Sequence, residues 1–138
     1  MATLQPMLPL GEVRRDGDTA PFLDAAKRGE FLLRRCAGCG SIGGPQEAQC
    51  TVCASTETDW VPASGGATVV SWSVVHGKAV DGAYAPHTIT VIAQFDEGPW
   101  WWSQVVGADP QEMESGSRLI VAFEAAHGGE ALPVFRLA

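Results

Sequence analysis

Apolar and polar residues alternate along several stretches in the second half of the chain. Between Val70 and Val74 every second residue is apolar and serines stand between them, and a similar alternation runs from Arg118 to Glu124. A period of two residues is typical of a strand with one buried face. Five strand-like runs follow one another with turn residues between them: 67–76, 88–95, 100–106, 117–124 and 132–137. This pattern predicts a small closed barrel over residues 63–138, of which the five-stranded OB-fold is the commonest.

The start of the chain has a helical signal instead. Residues 1–18 combine prolines and a glycine with a polar run, and they predict an extended arm. Thr19 then precedes a proline in the first turn, Lys27 stands in the last turn and Gly29 follows, which is typical of a short helix. Phe22 lies on the apolar face of this helix. About three helical turns are not stable alone, so the helix must pack on another part of the molecule or on a partner.

Four cysteines form two pairs of equal spacing. Two residues separate the cysteines within each pair, and ten residues separate Cys36 and Cys39 from Cys50 and Cys53. Two such pairs close a tetrahedral shell with no open position for a catalytic water, which predicts one structural Zn²⁺. Iron in the same geometry is the second interpretation. A redox dithiol is the third, but two matched pairs are more than a redox motif requires.

The residues around the cysteines favour a rubredoxin-like zinc ribbon. A strand-like run over residues 30–35 leads into the first pair, and Gly38 and Gly40 suit a tight turn around a metal. In the second turn Ala54 stands where glycine is favoured, so we expect that turn to be less regular. The chain is therefore predicted to be mainly β, with a helix and ribbon over residues 19–62 before the OB-fold barrel.

Composition and charge narrow the classes of function. The chain has 138 residues and a formal net charge of −7, and from Cys36 onward three basic residues stand against eleven acidic ones, a balance of −8. Nucleic-acid binding usually depends on several Lys or Arg contacts to phosphate, so this balance disfavours a nucleic-acid partner. No run approaches the roughly 20 apolar residues of a membrane span, and residues 1–10 lack the basic region of a signal peptide. We expect a cytoplasmic protein, where cysteines are more often metal ligands than disulfides.

Three consecutive tryptophans are the most unusual local feature. On a strand Trp100 and Trp102 share one face while Trp101 points to the other, and the core of a small barrel can accommodate one of these sides. The other side is either partly covered surface or a protein interface, because large aromatic residues are favoured interface anchors. Base stacking on an OB-fold surface is a third interpretation, which the missing basic groove disfavours.

The sequence contains no recognisable set of catalytic residues. There are three histidines, His76, His87 and His127, and no nucleophile elbow or phosphate-binding glycine loop accompanies them. His87 follows Tyr84 in the segment between the first two barrel strands, so these two residues are candidates for a ligand-binding loop. We find no assembled acid, base and nucleophile, so we expect a protein that is not an enzyme by itself.

Several short motifs identify a family by their order and spacing together. They are Ala-Pro-Phe at 20–22, Leu-Arg-Arg-Cys-Ala-Gly-Cys-Gly at 33–40, Pro45, Trp-Val-Pro at 60–62, residues 65–76, Ala-Pro at 85–86, Asp-Glu-Gly at 96–98, Val-Val-Gly at 105–107, Val-Ala-Phe-Glu at 121–124 and Leu-Pro-Val-Phe-Arg at 132–136. From Thr19 to its end, the chain resembles the small zinc-ribbon and OB-fold proteins that are grouped as domain of unknown function 35.

This resemblance implies a non-catalytic accessory subunit. Members of the family accompany thiolase-like, lipid-transfer-protein-like or acyltransferase subunits, help to bind or channel acyl-CoA, and leave catalysis to the partner. The candidate partner contacts in this sequence are Phe22, Trp100, Trp101 and Trp102, and the candidate acyl-CoA contacts are Arg34, Arg35, Tyr84 and His87. A nucleic-acid-binding module remains the alternative, because zinc ribbons and OB-folds both have relatives that bind RNA or DNA.

Overall fold

The structure is a computed structural model, and it describes residues 13–77, 87–125 and 129–138. Most of the predicted arm, together with Tyr84 and His127, lies outside the described residues. The described elements are one α-helix, α1 (Ala20–Lys27), one short 3-10 helix (Pro110–Glu112) and eight strands: β1 (Leu32–Cys36), β2 (Ile42–Gly43), β3 (Thr58–Pro62), β4 (Gly66–His76), β5 (His87–Phe95), β6 (Trp100–Val105), β7 (Arg118–Ala125) and β8 (Ala131–Leu137). The predicted mainly-β architecture with one helix near the start is confirmed.

The α1 helix begins and ends where the sequence signals place it. Before its first turn the Asp16 carboxylate accepts hydrogen bonds from the backbone N–H groups of Asp18 and Thr19, at 2.9 and 2.8 Å. After its last turn the chain leaves at Gly29, whose φ of +80° is a conformation that glycine adopts without strain. Leu23, on its apolar face, is buried. This helix is too short to cross a membrane, and no other helix among the described residues is long and apolar enough to do so.

The strands form a small sheet and a barrel. In the sheet, the central strand β1 pairs antiparallel with β2 on one side and β3 on the other. The barrel is closed in the order β4-β5-β6-β8-β7, because β4 also pairs with β7. The β6 and β8 strands are parallel, and their register joins Val105 to Phe135. The predicted five-stranded OB-like barrel is therefore confirmed.

An aromatic side chain joins the sheet to the barrel. Phe31 precedes β1 in the chain, yet its ring lies in the barrel core and is 1% exposed. Its ring centroid lies 4.4 Å from that of Phe95, 5.0 Å from that of Trp101 and 5.1 Å from that of Phe22. The helix, the ribbon and the barrel consequently share one hydrophobic core.

The segment between the sheet and the barrel is held by hydrogen bonds. Its glycine-rich composition is typical of a linker, but the Ser64 N–H donates to the Glu97 carboxylate at 2.7 Å. The Asp96 N–H donates to the Gly66 carbonyl at 3.1 Å. Glu97 and Asp96 both lie in the turn between β5 and β6, so these two hydrogen bonds fix the segment to the barrel.

We expect Phe31→Ala to lower the free energy of unfolding by about 3–5 kcal/mol, because it empties a site that three ring neighbours line. Urea unfolding followed by tryptophan fluorescence would measure the change. Val52→Ala is the control, since Val52 is 72% exposed and its truncation should change stability by less than about 0.5 kcal/mol. Equal unfolding midpoints for the two variants would contradict the shared core.

Candidate metal centre and aromatic face

The four cysteines meet at one end of the small sheet. Their sulfur atoms all lie within 4.8 Å of one another. Cys36 Sγ lies 3.5 Å from Cys53 Sγ, and Cys39 Sγ lies 3.6 Å from Cys50 Sγ. The first pair begins at Cys36, the last residue of β1, and the second pair precedes β3, so the antiparallel pairing of these strands brings the two pairs together. The cluster has the size and the donor set of a tetrahedral metal site.

The two cysteine turns have the same backbone conformation. In the first turn the Gly40 N–H donates to the Cys36 carbonyl at 2.9 Å, and in the second the Ala54 N–H donates to the Cys50 carbonyl at 3.0 Å. Gly40 has a φ of +79° and Ala54 a φ of +63°. The expectation of a less regular second turn is therefore wrong. The turn instead holds an alanine in a left-handed conformation that costs an L-residue roughly 1–2 kcal/mol.

Hydrogen bonds and neighbouring sulfurs divide the thiols into easily and poorly ionised ones. The Ser41 hydroxyl, its backbone N–H and the adjacent thiols lower the pKa of Cys39 to about 6. For Cys53 the Ser55 N–H favours the thiolate, but the sulfurs of Cys36 and the other cysteines raise its pKa to about 12. Four thiolates at this separation repel one another, and a divalent cation among them removes that repulsion. The residues present therefore fit a structural metal ion.

The two arginines of β1 have different surroundings. The guanidinium carbon of Arg34 lies 3.6 Å from the ring centroid of Trp60. Its Nε donates to the Pro45 carbonyl at 3.2 Å, and a terminal nitrogen donates to the Thr58 hydroxyl at 3.4 Å. Arg34 is thus held by the ribbon itself, in a cation–π contact with two hydrogen bonds. Arg35, which the sequence grouped with it, is exposed.

The tryptophan triplet is divided between the interior and the surface. Trp101 faces inward and packs on Phe31 and on Phe22, with ring centroids 5.0 and 5.9 Å apart. Trp100 and Trp102 point outward, 46% and 62% exposed, with their ring centroids 6.3 Å apart. Strand alternation predicts this division. Trp100 and Trp102 are thus the more exposed of the candidate partner contacts, while Phe22 and Trp101 are partly buried against the core and also line a surface groove.

The two histidines among the described residues, His76 and His87, do not join the cysteine cluster. His87 is the first residue of β5 and pairs in register with His76, the last residue of β4. The Nε2 atom of His87 is shielded from solvent and has no hydrogen-bond partner among the described residues. Within the described part of the chain, the four cysteines are the one group of potential metal ligands that converges.

The barrel also carries a groove that the sequence reasoning did not identify. Its volume is about 610 Å³, and residues of β4, β5, β6 and β8 line it, including Trp72 and Trp102. A second groove of about 290 Å³ lies between α1, the ribbon and β8. The strand pattern shows which side chains face outward, but it does not show which of four separate strands meet around one groove.

Comparisons with known proteins show which proteins this chain resembles. The model of the family described as "ChsH2, C-terminal OB-fold domain" matches residues 60–124. A DUF35 domain-containing scaffold protein of Methanocaldococcus jannaschii is 31% identical over 91 residues, 64% of each chain. A chain of the solved Ltp2-ChsH2(DUF35) aldolase has a TM-score of 0.76 and 28% identity, over 89% of this chain and 96% of that one. The predicted resemblance to the DUF35 proteins is confirmed.

Two further similar proteins limit which properties can be inferred for this chain. The probable enoyl-CoA hydratase alpha subunit of Thermomonospora curvata is 30% identical over 119 residues, which are 86% of this chain and 37% of that protein. The chain thus spans about a third of this relative and about two thirds of the scaffold protein. A DUF35 protein of unknown function from Sulfolobus solfataricus has a TM-score of 0.63 and 13% identity, which supports the fold alone.

We expect the purified protein to hold about one metal ion per chain, and Cys50→Ser to lose that ion because one of four ligands is removed. Elemental analysis of the eluted protein would measure the content. Thr51→Ala is the matched control, since Thr51 is exposed and supplies no sulfur. A metal content that is unchanged in Cys50→Ser would contradict the four-sulfur site.

The equivalent turn positions allow a paired substitution. Ala54→Gly should raise the free energy of unfolding of the metal-loaded protein by about 0.5–1 kcal/mol, because it relieves a positive φ at a residue with a β-carbon. Gly40→Ala should lower it by about 1 kcal/mol, since it introduces that strain where a β-carbon has open space. Urea unfolding checks both signs, and a destabilised Ala54→Gly protein would contradict the equivalence.

Proposed function

We propose that this chain is an accessory subunit of a thiolase-superfamily enzyme complex, in which it helps to bind acyl-CoA while the partner supplies the catalytic residues. The observation that carries the proposal is the pair of exposed tryptophans, Trp100 and Trp102, on a barrel that resembles the DUF35 component of an aldolase. The scaffold name of one relative supports a non-catalytic role. The name of another, a hydratase subunit, links the family to acyl-CoA chemistry.

The exposed tryptophans form an apolar surface around β6. Trp102 pairs in register with Ile92 of β5, so the two side chains lie on the same outward face. Trp100 pairs in register with Gln94 and lies on this face as well. Large aromatic residues concentrate binding energy when a partner covers them, and clustered exposed apolar residues mark interaction surfaces. A protein partner is the occupant that we propose for this face.

The distribution of cations supports a protein partner over nucleic acid. Arg15 pairs with Asp24 and Glu130, with nitrogen–oxygen distances of 2.6 and 2.9 Å. Arg118 pairs with Asp96 at 2.7 Å. Arginines that are engaged with carboxylates are less available to a phosphate backbone, and the net charge of the chain is −7.

The metal ion that we propose is zinc, in a structural role. Four thiolates form a closed shell, and zinc prefers tetrahedral sulfur coordination. The ion would fix the two cysteine turns and so hold β1, which leads from the buried Phe31, in place. Iron is the alternative for the same ligands, and elemental analysis distinguishes the two. A thiol-based metal site is also typical of a reducing compartment, which supports a cytoplasmic location.

We further propose that residues 19–62 and 63–138 act as two parts of one docking unit. The shared core at Phe31 supports this proposal, because the ribbon and the helix pack against the same barrel that carries the exposed tryptophans. The ribbon would then orient the barrel face toward the partner.

The tagged chain should recover a thiolase-like subunit from its native lysate, identified by mass spectrometry. The Trp100→Ala, Trp102→Ala double variant should recover at least tenfold less of it, because interface tryptophans commonly contribute 2 kcal/mol or more each. Ile120→Ala is the control, since Ile120 is an exposed apolar residue on β7.

Either of two results would remove this function. One is recovery of the chain alone or with nucleic acid, and the other is equal recovery of the subunit by the double variant and by Ile120→Ala.

A further inference from the structure

We propose that the groove on the barrel binds the apolar acyl portion of a thioester, and that the nucleotide portion of the coenzyme is bound by the partner. The inference rests on the proposed function for the identity of the ligand as a thioester. The preference for an uncharged, apolar ligand follows from the groove itself.

The lining of the groove carries no charge. It is formed by aliphatic, aromatic, hydroxyl and amide side chains, and three tryptophans, Trp72, Trp101 and Trp102, are among the lining residues. Leu132 and Pro133 of β8 line it as well. In a chain with sixteen acidic and nine basic residues, a groove of this size without a single charged side chain favours an uncharged ligand.

Two of the four hydroxyl groups that line the groove already donate hydrogen bonds within the protein. The Thr90 hydroxyl donates to the Ser73 carbonyl at 3.2 Å. The Ser103 hydroxyl donates to the Pro133 carbonyl at 2.7 Å, across the line where β6 and β8 meet. These two hydroxyl donors are satisfied without a ligand, so a ligand gains more binding free energy from apolar contacts in the groove than from hydrogen bonds with these groups.

The size of the groove indicates a long or bulky acyl group. A volume of about 610 Å³ falls in the range of about 300–1,000 Å³ that holds drug-sized molecules. Trp101, Leu132 and Pro133 line both this groove and the smaller one beside α1, so the apolar surface continues toward the helix. An acetyl group would leave most of this surface uncovered.

The phosphates of coenzyme A lack a matching site at the groove. Arg34, which the sequence suggested for them, stacks on Trp60 and is hydrogen-bonded within the ribbon. The smaller groove includes Arg14, but Asp18 lines it as well, so its charges cancel. An anionic nucleotide needs several cations, and the described surface around both grooves does not supply them.

The groove lies beside the proposed docking face. Trp102 lines the groove and also forms, with Trp100, the exposed pair on β6. A partner that covers this pair would stand at the mouth of the groove, which is where ligand sites between subunits commonly occur. The acyl group would then lie against this chain while the thioester carbon faces the partner.

Acyl thioesters of N-acetylcysteamine separate the acyl group from the nucleotide, and calorimetry with the full chain can measure their binding. The decanoyl thioester should bind, and the hexanoyl thioester should bind roughly 250-fold more weakly, since they differ by four methylenes and each buried methylene changes affinity by about fourfold. Free coenzyme A should not displace the decanoyl thioester. Trp102→Ala should weaken binding at least tenfold, and Ile120→Ala should leave it unchanged.

Three results would overturn the inference. The first is that thioesters from acetyl to decanoyl bind with equal affinity or do not bind at all. The second is that free coenzyme A displaces the decanoyl thioester, and the third is that Trp102→Ala binds it with unchanged affinity. Circular dichroism of each variant establishes that it is folded. If a thiolase-like subunit is recovered but no thioester binds, this inference fails and the proposed function stands. If thioesters bind but no such subunit is recovered, the groove is an apolar-ligand site and the proposed function fails.

Discussion

Burial of Phe31 in the barrel is the contact on which the arrangement of this molecule depends. The residue belongs to the chain that leads into the ribbon, yet its ring touches Phe22 of the helix and Phe95 and Trp101 of the barrel. A helix of eight residues is too short to be stable alone, and the three-stranded sheet includes a strand of only two residues. By packing on one ring, both obtain a core that the barrel supplies.

The metal site lies at the other end of β1 from Phe31 and stabilises the same connection between the ribbon and the barrel. The cysteine turns close the end of the sheet where β1 finishes, five residues after Phe31. A metal ion that fixes these turns therefore fixes the strand that carries the aromatic contact into the barrel. The hydrogen bonds of Ser64 to Glu97 and of Asp96 to Gly66 hold the return segment. These contacts connect the ribbon to the barrel that carries the exposed face of β6.

Local features of the sequence were predictable because their physical causes are local. The spacing of Cys36, Cys39, Cys50 and Cys53 defines the metal cluster, and strand alternation separates Trp101 from its neighbours. Phe22 could not be assigned this way, since only the packing of the helix decides whether its ring faces a partner or the core.

The same limit applies to Arg34 and to the groove. A basic doublet indicates available charge, but the stacking of Arg34 on Trp60 depends on pairing between β1 and β3, residues far apart in sequence. The groove needs side chains from four strands. At Ala54 a local preference gave the wrong expectation. The geometry of the cysteine turn holds this alanine at a positive φ, where glycine is locally preferred.

Hydrogen exchange of the chain, alone and bound to the recovered thiolase-like subunit, tests most directly the claim that β6 is the docking face. We predict that amides of residues 100–105 gain protection in the complex, while those around Val52 at the exposed tip of the ribbon exchange as before. Protection of the ribbon tip with unchanged exchange along β6 would contradict the account and place the partner at the metal end.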